Sequence, residues 1–274
     1  MPSPSLHPLN RAFHWAPPRG PYRRLRPEQA RGYDSDGFFL LEDAFDSETL
    51  RELQSAIDPV EAEVEKFLAT REDGKFFIAR SGEITFTTHM VTRSERCREF
   101  CAGPVFRDLV HDLVGPDVRL YWDQAVYKKP GTQDEFPWHQ DNGYTFVEPQ
   151  QYLTCWVALT DTDEKNGCPW VVPGIHRRGT LEHWMTDLGW CCLEEPEGAV
   201  PVPARAGSIV VFSSLTPHRT GPNLSDDVRK SYIVQFAPDG ARLRKPDDGS
   251  YEICDAPERQ FRVLENGAPP EASS

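Results

Sequence analysis

The chain has 274 residues, 38% of them hydrophobic and 11% of them aromatic, enough for a folded core, and its formal net charge of −13 excludes a general binder of nucleic acid or of anionic membranes. Its seven cysteines are odd in number and lack CxxC spacing, which excludes a disulfide framework and a thiolate zinc site and points to reduced thiols in the cytoplasm. No apolar run reaches membrane-spanning length and the first residues hold no signal-peptide core, so the expected partner is a small molecule, with the protein a monomer or homodimer.

Residues 1–26 are rich in Pro and Arg with little apolar periodicity, and read as an extended arm lying on the body or partly disordered. One domain is expected over residues 27–240. It starts with RPEQARGYDSDGFFLLEDAF, which reads as a short helix, an Asp-Gly turn and the strand GFFLLEDAF. Asp46-Ser-Glu-Thr then caps a second helix, in which Leu50, Leu53, Ile57, Val60 and Val64 recur at helical spacing.

After Gly115 the pattern changes to short strands: VRLYWDQAVYKK, QYLTCWVALT, WVVPG, GSIVVFSS and RKSYIVQFAP. Gly, Pro or Asp clusters divide them, and the long helices that a parallel sheet needs are missing. The fold class is therefore mainly β with flanking α-helices, a double-sheet jelly roll with the N-terminal helices on its outside. Residues 176–203 interrupt the strands, carry Trp184, Trp190, Cys191 and Cys192, and read as a lid or binding loop. Residues 241–274 turn polar and read as a frayed tail.

Chemistry concentrates in FPWHQDNGYTF, where His139 and Asp141 stand one residue apart. On an extended segment, side chains at i and i+2 share a side, so both can reach one ion; a solvated turn explains the pair equally well by itself. His218, in TPHRTGPN, follows GSIVVFSS and sits at another strand end. Two histidines and a carboxylate on separate strands match the facial triad of non-haem Fe(II) oxygenases, which leaves coordination positions open. A zinc hydrolase with the same donors would carry HExxH spacing, absent here. Arg229 begins the strand after the turn GPNLSDDV, and its fork suits the far carboxylate of a keto acid chelating the iron. The competing reading is a surface arginine beside Asp226 and Asp227.

These residues make the chain similar to the phytanoyl-CoA dioxygenase family of Fe(II)- and 2-oxoglutarate-dependent oxygenases. The resemblance runs from YDSDGFFLLEDAF to about Phe236 and is most specific in WHQD, TCWVALTDTDEKNGCPWVVPGIHRRG and PHRTGPNLSDDVRKSY. It implies a cupin-like double-stranded β-helix, His139, Asp141 and His218 as iron ligands, and Arg229 on the distal carboxylate of 2-oxoglutarate. It also implies Trp156 flanking the cosubstrate, Gln124 facing it, and Thr220 close to the distal histidine. Some relatives supply a lysine from the strand before the metal segment; EITFTTH has none, which leaves Thr88, Gln124 or water for that contact. Of Lys128 and Lys129, strand alternation lets only one face inward.

The activity implied is consumption of 2-oxoglutarate and O2 with hydroxylation of an unactivated C–H bond and release of succinate and CO2. Asp141 speaks against halogenation, because a halide needs the place its carboxylate fills. The alternative is a jelly-roll protein that binds small molecules without turnover. Candidate substrate residues are Tyr144 and Phe146 beyond the metal strand, His176 and Arg177 at the start of the insertion, and Trp184 within it. Aromatics with one or two cations would suit a molecule with an apolar body and an anionic or polar handle; no Lys/Arg cluster for a CoA ester stands out.

Overall fold

The computed structural model describes residues 4–271; residues 1–3 and 272–274, the outermost parts of the expected arm and tail, lie outside the described residues. Pro27 opens helix α1 (Pro27–Asp36), where its missing N–H removes a donor that the first turn has no partner for. The helix stops at Gly37, whose φ of 85° lets its N–H close onto the Tyr33 carbonyl at 3.0 Å. A Cβ there would lie 2.5 Å from the His176 ring, so the turn needs glycine for space as well. Strand β1 (Phe38–Leu41) is shorter than expected because the chain turns at Asp43, with φ 50°. Helix α2 (Ser47–Ala69) is capped by the Asp46 carboxylate, which accepts the Thr49 N–H at 2.8 Å, and it buries Leu50, Leu53 and Ile57. Each such side chain contributes roughly 1.5–3 kcal/mol by leaving water.

Strands β2 (Lys75–Phe76), β3 (Ala79–Arg80) and β4 (Ile84–Thr88) precede helices α3 (Glu95–Cys101) and α4 (Pro104–Leu113). The β-rich part then runs through β5 (Val118–Lys128), β6 (Phe136–His139), the short helix α5 (Asp141–Tyr144), β7 (Val147–Glu148), β8 (Leu153–Ala158) and β9 (Pro169–Val171). Residues 176–203 hold the hairpin β10 (Trp184–Thr186) and β11 (Gly189–Cys191), then β12 (Val200–Pro201). After these come β13 (Ile209–Ser213), β14 (His218–Thr220) and β15 (Arg229–Pro238).

The larger sheet has the order β1-β13-β8-β15-β5-β4-β3-β2, and the smaller one the order β12-β9-β14-β6. From β5 onward the chain alternates between them: β5, β8, β13 and β15 lie in the larger sheet, and β6, β9 and β14 in the smaller. That alternation of antiparallel strands is the double-stranded β-helix. One face of the larger sheet packs Val126, Trp156, Phe212 and Ile233 against Val171 of the smaller. Its other face packs Tyr127, Tyr232 and Phe236 against Leu53, Phe100 and Phe106 of the helices. Covered on both sides, β8 and β13 are buried throughout and are apolar save for Thr154, Ser213 and the thiol of Cys155.

The tail differs from expectation, and the arm takes the first of its two expected forms. The tail is structured: β16 (Arg242–Arg244) pairs with β17 (Tyr251–Ile253) and with β7, and β18 (Arg262–Leu264) pairs with β5. Cys254, Val263 and Leu264 anchor it inside, too few apolar residues to show as a pattern in a polar stretch. The arm lies on the body from Pro4 onward. Its Leu6 bridges Leu181, and the buried Asp112 carboxylate accepts the backbone N–H groups of Arg23, Arg24 and Leu25 at 2.9–3.1 Å. Among the described residues, no helix is long and apolar enough to cross a membrane.

Candidate active site

Strands β6 and β14 pair so that His139 and His218 stand opposite each other, with ring centroids 4.2 Å apart. The chain stays extended through Gln140, and Asp141 opens α5 rather than continuing the strand. The i and i+2 convergence survives: Asp141 Oδ1 lies 4.0 Å from His139 Nε2 and 3.7 Å from His218 Nε2. Gln140 points the other way, donating to the carbonyls of Gly179 and Leu215 and accepting the Leu181 N–H.

The groups around the triad prepare it for a cation. A carbonyl only accepts, so His139 Nδ1 donates to Pro137 O at 2.8 Å and His218 Nδ1 donates to Thr216 O at 3.0 Å, which leaves both Nε2 lone pairs facing Asp141. Burial, then the neighbouring His218, holds the His139 imidazole well below its ordinary pKa, in the neutral form that binds metal. The Thr154 hydroxyl donates to Asp141 Oδ2 at 2.5 Å and accepts from the Gln235 amide at 3.3 Å, which leaves Oδ1 for a ligand. Donor atoms of the three residues all lie within 4.8 Å of one another. Such a set fits an iron ion with open positions.

Arg229 is 1% exposed and makes no ion pair among the described residues, so it is not the surface arginine of the competing reading. Its Nη1 donates to the Ser231 hydroxyl at 2.6 Å, its Cζ stands 5.4 Å from the centre of the Trp156 ring, and Nε and Nη2 are buried without partners. Burial brings its pKa down to about 10, leaving it charged. Two orphaned donors on a buried cation fit the distal carboxylate of 2-oxoglutarate.

A cavity of about 480 Å³ opens onto the triad and is lined by His139, Asp141, Thr88, Gln124, Tyr144 and Gln235, among others. Thr88 and Gln124 are opposite partners in the β4–β5 ladder. Thr220 is half-buried on β14 two residues past His218 and lies outside this lining, as does Trp156. The substrate candidates divide. Tyr144 is in the wall, its ring 5.2 Å from that of His139, with burial pushing its phenol up and its hydroxyl unpaired. Phe146 stacks on His7 of the arm at 4.7 Å. His176 is wholly buried, with Nε2 3.1 Å from the Asp34 carbonyl oxygen, and Arg177 pairs with the Asp34 carboxylate at 2.9 Å. Trp184 is exposed on the β10–β11 hairpin. None of these four reaches the cavity. A larger cleft of about 950 Å³, between the arm and α4, holds none of the triad.

Several contributors escape sequence reading. Lys128 is buried, its Nζ donating to the carbonyls of Gly221 at 2.6 Å and Asp134 at 3.2 Å, while Lys129 pairs with Glu61. His183 accepts the Gln140 N–H at 3.0 Å and steadies the turn that carries Asp141. A lone histidine in a long insertion gives no signal of this. For Thr154 and Gln235 the available signal was a polar residue inside an otherwise apolar strand.

A family model described as "Phytanoyl-CoA dioxygenase (PhyH)" matches residues 33–231, a span that includes the triad and Arg229. The chain belongs to the phytanoyl-CoA dioxygenase family. A relative in that family, a phytanoyl-CoA dioxygenase of Arabidopsis thaliana, is 22% identical over 260 residues, covering 81% of this chain and 92% of the relative. The non-heme alpha ketoglutarate dependent carbocyclase SnoK from nogalamycin biosynthesis superposes with a TM-score of 0.68 at 23% identity, covering 91% of this chain and 94% of that one. EctD from S. alaskensis, solved with 2-oxoglutarate and 5-hydroxyectoine, gives a TM-score of 0.66 at 22% identity, covering 89% of this chain and 85% of that one. These two likenesses establish the double-stranded β-helix. Family membership, with the His-Asp-His triad, makes the protein a non-haem iron, 2-oxoglutarate-dependent dioxygenase.

Proposed function

We propose that the protein hydroxylates an unactivated C–H bond of a small metabolite or natural-product intermediate, so that R–H, O2 and 2-oxoglutarate become R–OH, succinate and CO2. The observation that carries this is the triad with its free donor atoms gathered beside one cavity, which His139 and Asp141 line, each ligand already oriented by a hydrogen bond on its far side. His139, Asp141 and His218 would hold Fe(II), and Arg229 the distal carboxylate of 2-oxoglutarate. Bound there, the iron supplies O2 activation and 2-oxoglutarate supplies two electrons. Trp156 stiffens Arg229 from one side; Thr88, Gln124 and Thr220 flank the cosubstrate with neutral hydrogen-bonding groups. Phe136 and Tyr144 flank His139 with apolar surface and keep water from the reacting centre. The seven cysteines are all buried and unbridged, which supports a reducing, cytoplasmic setting; the triad and Arg229 all come from one chain, so a monomer or homodimer suffices.

Anaerobic titration with Fe(II) and then 2-oxoglutarate tests this directly. A weak visible charge-transfer band, followed on admission of air by succinate release, is the expected result. Binding of both without succinate under any substrate panel would instead identify a non-catalytic binder.

A further inference from the structure

The cavity over the triad is built for an uncharged guest. Its wall is aromatic on most sides, with Phe86, Phe136, Tyr144 and Trp190 around Tyr121 and Trp122. Among the described residues, Asp141 is its only acidic group and no Lys or Arg lines it. Among nearby cations, Lys128 is held by two carbonyls, Arg80 by Asp134 and Glu83, and Arg177 by Asp34, while Arg71, stacked on Phe76, and the exposed Lys75 stand outside the lining at the mouth. An anionic handle would therefore lose its water here without gaining a side-chain partner.

The mouth presents aromatic rings too. Phe76 and Phe77, on the β2–β3 hairpin, line the cavity while 58% and 65% exposed, unusual for phenylalanine unless a ligand covers it. The β10–β11 hairpin closes the other side. A Cβ at Gly189 would lie 3.3 Å from Ile78, and Arg80 donates to the Asp187 carbonyl at 3.3 Å, so the two hairpins meet across the opening. Polar complement is small and neutral. The Tyr144 hydroxyl is buried in the wall without a partner, available to a hydroxyl or carbonyl on the guest.

Building on the dioxygenase reading, we infer that the substrate is an uncharged, largely aromatic or alicyclic molecule with a hydroxyl or carbonyl group, admitted between the 75–80 and 184–191 hairpins. Of the volume of about 480 Å³, iron and 2-oxoglutarate would take the part beside His139, Asp141, Thr88 and Gln124, and the aromatic remainder is room for a small molecule. The same walls offer the phosphates of a CoA ester no partner inside the cavity.

The test uses a matched pair of fluorescent probes on the protein loaded anaerobically with Fe(II) and 2-oxoglutarate, after uptake of both has been measured separately. 1-Pyrenemethanol should bind about tenfold or more tightly than 1-pyrenecarboxylate, and coenzyme A should not compete with it. Phe77→Arg, at an exposed position outside the iron site, should narrow that preference at least threefold while leaving 2-oxoglutarate affinity unchanged. The inference is overturned if 1-pyrenemethanol does not bind, if the carboxylate or coenzyme A binds as well, or if Phe77→Arg leaves the preference as it was. Failure of Fe(II) or 2-oxoglutarate uptake would strike the dioxygenase reading instead.

Discussion

Lys128 stands directly opposite Arg229 in the β5–β15 ladder, and both cations are 1% exposed without an ion pair among the described residues. Side chains paired this way share a face, here the interior between the two sheets. Burial first, and then the charge of Arg229, brings Lys128 down to about 7. Its hydrogen bonds to Asp134 O and Gly221 O also tie the chain just before β6 to the chain just after β14, the two strands that carry the histidines.

The depressed Lys128 sets a pH dependence of stability. Between about pH 7 and 10 the unfolded chain binds a proton that the folded chain does not, so stability rises with pH across that window. Below it both forms are charged, and the unfavourable contribution is constant and at its largest. The slope is at most about 1.4 kcal/mol per pH unit. The buried thiols, all pushed up by burial, pull the other way above about pH 8, so the contribution is read as a difference: urea midpoints from pH 6.5 to 9.5 should rise in the native protein relative to Lys128→Met, and parallel profiles for the two would refute the assignment.

Arg229→Met separates cosubstrate binding from folding. Removing the buried partner of a carboxylate costs about 2–5 kcal/mol of binding, or roughly 30-fold and upward in 2-oxoglutarate affinity. Without ligand, the same change removes an uncompensated buried charge and should leave the melting temperature unchanged or raised. Calorimetric titration and thermal melts, each with and without 2-oxoglutarate, check both halves: the ligand-induced rise in Tm should vanish while the ligand-free Tm holds.

The legibility of this site follows from how far each signal had to travel. His139, Asp141, His218 and Arg229 lie at strand ends marked by turn residues, and strand alternation with two turns sufficed to bring them together. Lys128 needed the choice of face for one strand, which depends on pairing that a single sequence does not display. Phe146, His176, Arg177 and Trp184 were proposed because they follow the metal strand or fill the insertion. In the fold, α5 turns Phe146 toward the arm, and the turn of residues 175–178 packs behind Gly37, away from the cavity. Sequence proximity misled there because short strands alternate between two sheets. The tail's strands were invisible for a different reason: three short segments with few buried residues carry no periodicity.

Thr154 tests how the triad is held. Its hydroxyl is the donor to Asp141 Oδ2, so Thr154→Val keeps the shape and removes the hydrogen bond. Groups of this kind commonly account for 10- to 100-fold in metal affinity. Iron titration should show a loss in that range for Thr154→Val and no measurable specific site for Asp141→Ala, with succinate release falling in the same order. Native-like iron affinity in Asp141→Ala would remove that residue from the ligand set.

Gly189 tests the closure between hairpins. It has a φ of 124°, and a Cβ there would meet the Tyr144 hydroxyl at 2.7 Å. The Tyr144 ring packs on one side against Phe136 and His139, at 6.3 and 5.2 Å. Relieving the contact in Gly189→Ala takes a shift of the Tyr144 side chain, which displaces it in the cavity wall, together with a lift of the β10–β11 hairpin, whose Cβ would also press on Ile78 at 3.3 Å. Gly198, in the same insertion, has a φ of 75° with nothing within 4 Å of its would-be Cβ, so Gly198→Ala introduces backbone strain of about 1 kcal/mol without a collision. Hydrogen exchange at residues 184–191 should quicken in the first variant and stay as in the native protein in the second. Equal effects from the two would mean that strain, not contact with Tyr144, governs the hairpin.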